Sequence, residues 1–157
     1  MSSLPVAVLD RRQAVPALIE RPSDFLIVTG LAGTAQELTA LIERSPGVFA
    51  MGGAMGAALM TGLGLALAQP KRRVLVVTGD GDLLMSVGAL ATIALQNPPN
   101  MAVICVDNGH YGETGNQDSH TGLSFILLRV KESPPNRIKR NLVPHLERDR
   151  FRKALLG

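Results

Sequence analysis

Several residue types are scarce in this chain of 157 residues. It has one cysteine, no tryptophan, one tyrosine, four phenylalanines and three histidines. A single cysteine excludes an internal disulfide framework, and the place of Cys105 inside an apolar run indicates a small core residue rather than a nucleophile. His110 and His120 lack further clustered His or Cys neighbours, which argues against a zinc site.

Basic residues are scarce over most of the chain and concentrated towards the C-terminus. Residues 131–157 hold eight basic and three acidic residues, whereas residues 1–130 hold eight basic and ten acidic. Nucleic acid is one interpretation of this basic tail, but the tail lacks interleaved aromatic residues and any recognisable binding module. We therefore expect no nucleic-acid partner. We interpret 131–157 as a solvated or subunit-contacting tail with a short helix over 146–156.

Long apolar runs are also missing. The run from Ala50 to Ala68 comes closest, but its five glycines predict a loop leading into a buried helix rather than a membrane span. The first five residues do not begin a basic segment followed by an apolar one, so we expect no secretory signal, no membrane partner and a cytoplasmic location. With 46% hydrophobic residues, residues 1–157 are enough for a single domain with a core.

Helical and extended patterns alternate along the chain. The predicted helices cover 11–20, 34–43, 56–68 and 86–95, and the predicted strands cover 25–29, 48–50, 74–78, 101–106 and 124–131. Such alternation is typical of an α/β fold in which helices cover both faces of a parallel sheet. Ligands of these folds bind at the carboxyl ends of the strands.

The most informative motif, Gly79-Asp80-Gly81, follows the predicted strand 74–78. Its glycines allow the backbone to turn sharply and to approach a ligand closely, and the helix that follows offers free N–H groups to an anion. Asp80 therefore lies at the carboxyl end of a strand, next to a predicted anion site.

A second strand, 101–106, ends just before Asn108. A right-handed crossover through the helix between the two strands would make them neighbours and bring Asn108 beside Asp80. One carboxylate, one amide oxygen and one main-chain carbonyl, which we assign to His110, form a hard oxygen set of the kind that magnesium prefers. The sequence predicts a site for magnesium and a diphosphate.

These residues resemble the thiamine diphosphate-dependent enzymes, whose cofactor motif begins with Gly-Asp-Gly and ends with Asn-Asn. Asp107-Asn108 stands in place of Asn-Asn and keeps the second position, which binds metal in that family. The resemblance implies the Rossmann-like fold of the family's pyrophosphate-binding domain. It also implies thiamine diphosphate and Mg²⁺ as cofactors, with metal at Asp80, Asn108 and the His110 carbonyl.

The segment Met51–Gly56 resembles the part of the family that grips the aminopyrimidine ring. The resemblance implies that the Gly53 carbonyl and the Met55 amide bond the ring while the Met55 side chain lies beneath it. The amides of Gly81 and Asp82 would face the diphosphate. The cofactor-binding residues implied in this way are Gly53, Ala54, Met55, Gly79, Asp80, Gly81, Asp82, Asn108, His110, Tyr111 and Gly112.

The segment Gly109–Gly122 resembles most closely the phosphonopyruvate and sulfopyruvate decarboxylases. That likeness implies removal of CO2 from a small anionic 2-oxoacid with release of an aldehyde. Glu113 is a candidate proton relay and His120 a candidate contact to the anionic tail of the substrate. For both residues the alternative is an ordinary exposed loop side chain.

Two parts of the family's pattern are missing. The family carries a catalytic glutamate on a pyrimidine-binding domain, which nothing in this chain resembles, so a partner subunit would supply it in a hetero-oligomer. The family also has a helix, a strand and a helix where Gly122 passes directly to Leu123. Either this segment of the family is deleted, or it is missing from the 157 residues. As the sequence stands, the loop before Leu123 must itself connect the two parallel strands. The alternatives are half of a carboligase or oxidoreductase that uses the same cofactor, and a non-catalytic remnant.

Overall fold

The computed structural model describes residues 9–31, 33–34, 38, 45–119, 127–129 and 144–156, with the backbone alone for 127–129 and 144–148. Five strands form a sheet in the order β2-β1-β3-β4-β7, and two more form a separate hairpin. The sheet strands are β1 Phe25–Thr29, β2 Val48–Ala50, β3 Arg73–Gly79, β4 Met101–Asp107 and β7 Leu127–Arg129, and the hairpin strands are β5 His110–Tyr111 and β6 Gln117–Asp118. Every neighbouring pair in the five-stranded sheet is parallel.

The helices are α1 Arg11–Leu18, α2 Ala58–Ala68, α3 Asp80–Leu84, α4 Ala89–Gln96 and α5 Pro144–Leu156, with a 3-10 turn at Pro22–Asp24. Residues 33, 34 and 38 are also helical; 34 and 38 belong to the predicted helix 34–43, whose other residues lie outside the described ranges. The helix predicted over 56–68 begins two residues later, because Gly56 adopts a left-handed φ of 84°. The helix predicted over 86–95 is preceded by the separate short helix α3, which the sequence pattern did not reveal.

Helices cover both faces of the sheet, as predicted. On one face, Ile27, Leu75 and Val77 pack with Val15 and Ile19. On the other face, their strand neighbours Val28 and Val76 pack with residues of α2, α3 and α4. Because successive strand residues point to opposite faces, these buried runs supply two cores at once.

The order of the strands indicates where a ligand would bind, at the carboxyl ends of β1 and β3. The chain leaves β1 for β2 on one side and then crosses to β3 on the other side of β1. Ligands of parallel sheets bind outside the carboxyl ends of the strands at such a reversal. The expected binding position is therefore next to Gly30 after β1 and Gly79 at the end of β3.

Strand β7 runs parallel to β4, with Cys105 beside Leu127 and Asp107 beside Arg129. The chain between Asp107 and Leu127 therefore makes the crossover, as expected, and its described part contains the β5–β6 hairpin. The junction of Gly122 and Leu123 lies outside the described residues, as do most residues of the predicted strand 124–131.

The C-terminal helix α5 contacts the sheet at edge strand β2. The rings of Phe49 and Phe151 lie 5.0 Å apart, and Arg150 Nη2 donates to the Val48 carbonyl at 3.4 Å. The helix predicted over 146–156 is thus present, begins two residues earlier, and covers an edge that would otherwise be open. No helix within the described ranges has the length and apolar character needed to cross a bilayer.

Two glycines of α2 give opposite predictions for the same substitution. A Cβ on Gly62 would overlap Val76 Cγ2, whereas a Cβ on Gly64 would meet no atom within 4 Å. Gly62→Ala should push α2 off the sheet and lower the free energy of unfolding by about 1–3 kcal/mol. Gly64→Ala should raise it by up to about 1 kcal/mol, because alanine favours the helix. Urea unfolding followed by circular dichroism measures both, and equal stability of the two variants would contradict this packing.

Candidate functional site

The ends of β3 and β4 meet at the predicted site. The two strands are parallel neighbours, and Gly79 is aligned with Val106. Asp80 and Asn108 therefore lie side by side, and the backbone N–H of Asn108 donates to Asp80 Oδ1 at 3.5 Å. The predicted adjacency of the two strands is confirmed.

Asp80 is the first residue of α3 and is only 2% exposed. Its Oδ2 accepts a short hydrogen bond from the Ser119 hydroxyl. Burial raises the pKa of the Asp80 carboxyl above its ordinary value; the Ser119 hydrogen bond opposes this shift, and the nearby charge of Asp107 adds to it. Asp80 is thus a buried carboxylate held by hydrogen bonds, with no cationic side chain paired to it in the described ranges.

Asp80 belongs to a group of three buried carboxylates, because Asp82 and Asp107 are each 5% exposed. None of the three forms an ion pair with another residue in the described ranges. Burial and the charges of all three raise the pKa of the Cys105 thiol to about 12. Cys105 is therefore a protonated core residue rather than a nucleophile, as predicted.

Asp107 and Asn108 shape the turn that follows β4. Asp107 Oδ1 accepts a hydrogen bond from the Gly109 amide at 2.8 Å, and Asn108 Oδ1 accepts one from the His110 amide at 3.1 Å. Gly109 has a left-handed φ of 74°. The Asn108 oxygen, with one lone pair used in the turn, keeps a second for another ligand.

The β5–β6 hairpin folds back over the first turn of α3. A Cβ on Gly81 would lie 2.6 Å from the Tyr111 ring, so only glycine fits beneath it. His110 Nδ1 lies 3.1 Å from Asp118 Oδ1 across the hairpin. Directly after β6, the Ser119 backbone N–H donates to the Gly109 carbonyl at 2.9 Å. This bond closes the open end of the hairpin and places Ser119 against Asp80.

Glu113 lies in the turn of this hairpin and is exposed. Gly112, the residue before it, leaves room for a Cβ 4.0 Å from Asn108 Nδ2. The hairpin therefore leaves Glu113 exposed, directly after a glycine that lies next to Asn108. His120, the other predicted catalytic residue, lies outside the described residues.

The loop after β2 carries the predicted ring-binding segment. Gly53 has a φ of 133°, Gly53 and Ala54 are exposed, and Met55 is half-buried. The Met51 amide donates to the Thr29 carbonyl at 3.1 Å. The loops after β1, β2, β3 and β4 thus converge at one edge of the sheet, as the predicted site requires.

Sequence reasoning missed three side chains at this edge. Ser119 donates to Asp80, the Asp82 carboxylate accepts from Gly56 in the loop after β2, and the Asp107 carboxylate accepts from Gly109 in its own turn. One feature of the sequence did point to these contacts: acidic residues are concentrated at the ends of strands, in a stretch that otherwise carries few charges. In the described ranges no group of three or more His, Cys, Asp and Glu side chains is arranged to hold a metal. The predicted ligand set relies instead on one carboxylate, one amide and one carbonyl.

Comparison with known families gives one extended match. The family described as thiamine pyrophosphate enzyme, C-terminal TPP binding domain, matches residues 31–137. A solved structure of 2-oxoglutarate:ferredoxin oxidoreductase from Magnetococcus marinus has the same fold, with a TM-score of 0.52 and 24% identity over 74% of this chain and 42% of the other.

Curated relatives are more similar in sequence. The chain is 42% identical over 126 residues to sulfopyruvate decarboxylase subunit beta of Methanothermobacter thermautotrophicus, covering 80% of this chain and 66% of the relative. It is 41% identical over 112 residues to phosphonopyruvate decarboxylase of Streptomyces viridochromogenes, covering 71% of this chain and 26% of the relative. The chain thus spans less than two thirds of the length of each.

Asp80→Asn should stabilise the metal-free chain at neutral pH. The folded-state pKa of Asp80 is raised above 3.8, so its favourable contribution is complete below that ordinary value and is lost as the pH rises through the raised value. In EDTA, the urea midpoint of the variant should exceed that of the wild type at pH 7. The difference should shrink as the pH falls towards about 4.

Asp24→Asn is the control, because Asp24 pairs with Arg21 and Arg73 at 3.4 and 3.0 Å. Removing that charge should slightly lower stability at pH 7. An Asp80→Asn midpoint at or below the wild-type value in EDTA would show that the ionised carboxylate does not oppose folding.

Proposed function

Because this chain belongs to the thiamine pyrophosphate enzymes, through their C-terminal TPP binding domain, we propose that it is the cofactor-binding half of a 2-oxoacid decarboxylase. The substrate class we propose is a small anionic 2-oxoacid of the sulfopyruvate or phosphonopyruvate type. Relatives with those names are 36–43% identical to it, and none of these is fully covered by this chain.

The observation that carries the proposal is the group of buried carboxylates without a counter-charge. Burying an unpaired carboxylate is costly, and a bound divalent cation removes that cost. A diphosphate could approach Asp80, Asp82 and Asp107 only if such a cation lay between the charges. The described residues therefore fit a magnesium ion held by Asp80, Asn108 and the His110 carbonyl, with diphosphate oxygens and water completing its ligands.

The remaining cofactor contacts follow from the same loops. The first turn of α3 has no side-chain cap, which leaves the amides of Gly81 and Asp82 available to the diphosphate. Gly79 leads into that turn, and Tyr111 and Gly112 border it. The aminopyrimidine would be held by the loop after β2, through Gly53, Ala54 and Met55. When bound, thiamine diphosphate supplies the electron sink for decarboxylation.

Two side chains of the crossover are assigned to the substrate. Glu113 is exposed beside the proposed metal ligands, where a carboxyl group can exchange a proton with the product. His120 would contact the anionic tail of the 2-oxoacid. Neither residue would bind the metal, so both can be altered without removing the cofactor.

The proposal includes a partner chain. Several relatives are named as beta subunits. The buried carboxylates of the described residues already accept hydrogen bonds from loops or would bind the proposed metal. The glutamate that acts on the pyrimidine ring would therefore come from a second subunit in a hetero-oligomer. Carboligase or oxidoreductase activity is the competing assignment, and product analysis separates aldehyde release from carbon–carbon bond formation and electron transfer.

Asp80→Ala should weaken magnesium-dependent binding of thiamine diphosphate by at least about a hundredfold, because changing only a residue that hydrogen-bonds a metal ligand already costs about 10–100-fold in metal affinity. Calorimetric titration of the complex purified from its own cells, with Mg²⁺ and then with EDTA, measures this loss. Glu113→Gln is the control in the same region and should retain cofactor affinity. Unchanged affinity in Asp80→Ala, or wild-type binding that EDTA does not affect, would contradict the metal assignment.

A further inference from the structure

The side chain of Asp82 links two parts of the proposed cofactor site. It lies in the first turn of α3 and is 5% exposed. Oδ2 accepts a hydrogen bond from Thr78 Oγ1 at 2.7 Å, and Oδ1 accepts one from the Gly56 amide. One carboxylate thus joins the end of β3 to the loop that follows β2.

The Gly56 amide is the main-chain group directly after the segment proposed to hold the aminopyrimidine. Gly56 has a φ of 84°, and a Cβ there would lie 3.1 Å from Met85 Cβ and 3.3 Å from Ser86 Cβ. The amide is therefore fixed on one side by the Asp82 carboxylate and on the other by the chain beyond α3. A displacement of the Asp82 side chain would shift Gly56 and, with it, Met55, the residue before Gly56.

The Asp82 carboxylate packs closely against the loop after β1. A Cβ on Gly30 would overlap Asp82 Oδ2, and the Gly30 amide is itself bonded to the Val77 carbonyl at 2.7 Å. Both donors at the carboxylate are buried or half-buried, so a side chain without acceptors would leave them unsatisfied. The loops after β1, β2 and β3 all meet at this one group.

We propose that the Asp82 carboxylate is a positioning group that holds the Gly53–Met55 segment at a fixed separation from the diphosphate-binding turn of α3. This role rests on the proposed function and differs from the role of the Asp82 amide, which faces the diphosphate. Asp82 would act through the Gly56 amide and would touch neither the metal nor the substrate. Its loss would uncouple the ring half of the cofactor site from the diphosphate half.

The test compares two ligands on the purified complex by calorimetry: magnesium thiamine diphosphate and magnesium pyrophosphate, which lacks the ring. Asp82→Ala should weaken binding of thiamine diphosphate about tenfold or more, since the bond that orders the ring segment through the Gly56 amide is lost together with the bond from Thr78. Binding of magnesium pyrophosphate should change less than about threefold, because its proposed contacts, the first turn of α3 and the metal ligands Asp80, Asn108 and His110, do not include the loop after β2.

Asp82→Asn is the conservative variant. Its amide oxygen can accept from Gly56, and its NH2 can donate to the Thr78 oxygen, so it should recover most of the affinity that Asp82→Ala loses. A pure charge effect predicts the opposite, because removing a negative charge in either variant would strengthen binding of both ligands. Recovery by Asn with selective loss in Ala supports positioning.

Thr78→Val keeps the side-chain volume and removes one donor, so it serves where Asp82→Ala does not fold. It should weaken binding of thiamine diphosphate about threefold or more and leave pyrophosphate binding unchanged. Equal loss for both ligands, or no loss for either, would overturn the positioning role. A wild-type complex that binds neither ligand would instead overturn the proposed function.

Discussion

Asp80, Asp82 and Asp107 bury three carboxylates at one edge of the sheet, and no ion pair with another described residue balances them. Each carboxylate instead accepts hydrogen bonds from a different part of the chain. Ser119 at the end of the hairpin bonds Asp80, Gly56 and Thr78 bond Asp82, and Gly109 bonds Asp107. The loops at this edge are therefore shaped around negative charge, which the proposed magnesium at Asp80 would offset.

The connection from β4 to β7 has two tasks in this fold. It must carry the chain across to the next parallel strand, and its described part also forms the wall of the site. The β5–β6 hairpin places the Tyr111 ring over Gly81 and returns Ser119 to Asp80. A change in this segment would affect strand pairing and ligand binding together, which ties the stability of the sheet to the geometry of the site.

Much of this architecture follows from the sequence, since β-branched runs predict the strands and the Gly-Asp-Gly turn places Asp80 at a strand end. The neighbouring position of Asn108 also follows, because right-handed crossovers are nearly universal. The short helix α3 does not follow, because its five residues are fewer than one reads from periodicity. Nor do the bonds from Ser119 to Asp80 and from Asp82 to Gly56, which join residues 39 and 26 positions apart. Such contacts depend on how loops meet after folding, and single-sequence patterns contain only local information.

This chain is proposed to form half of a site for magnesium and thiamine diphosphate. Native mass spectrometry of the tagged chain purified from its own cells can check this role, since one spectrum gives the chain mass, the bound cofactor and any partner. We expect a complex that contains a second chain, magnesium and thiamine diphosphate. A bare single chain without cofactor, at the mass of 157 residues, would overturn this role and favour a non-catalytic remnant.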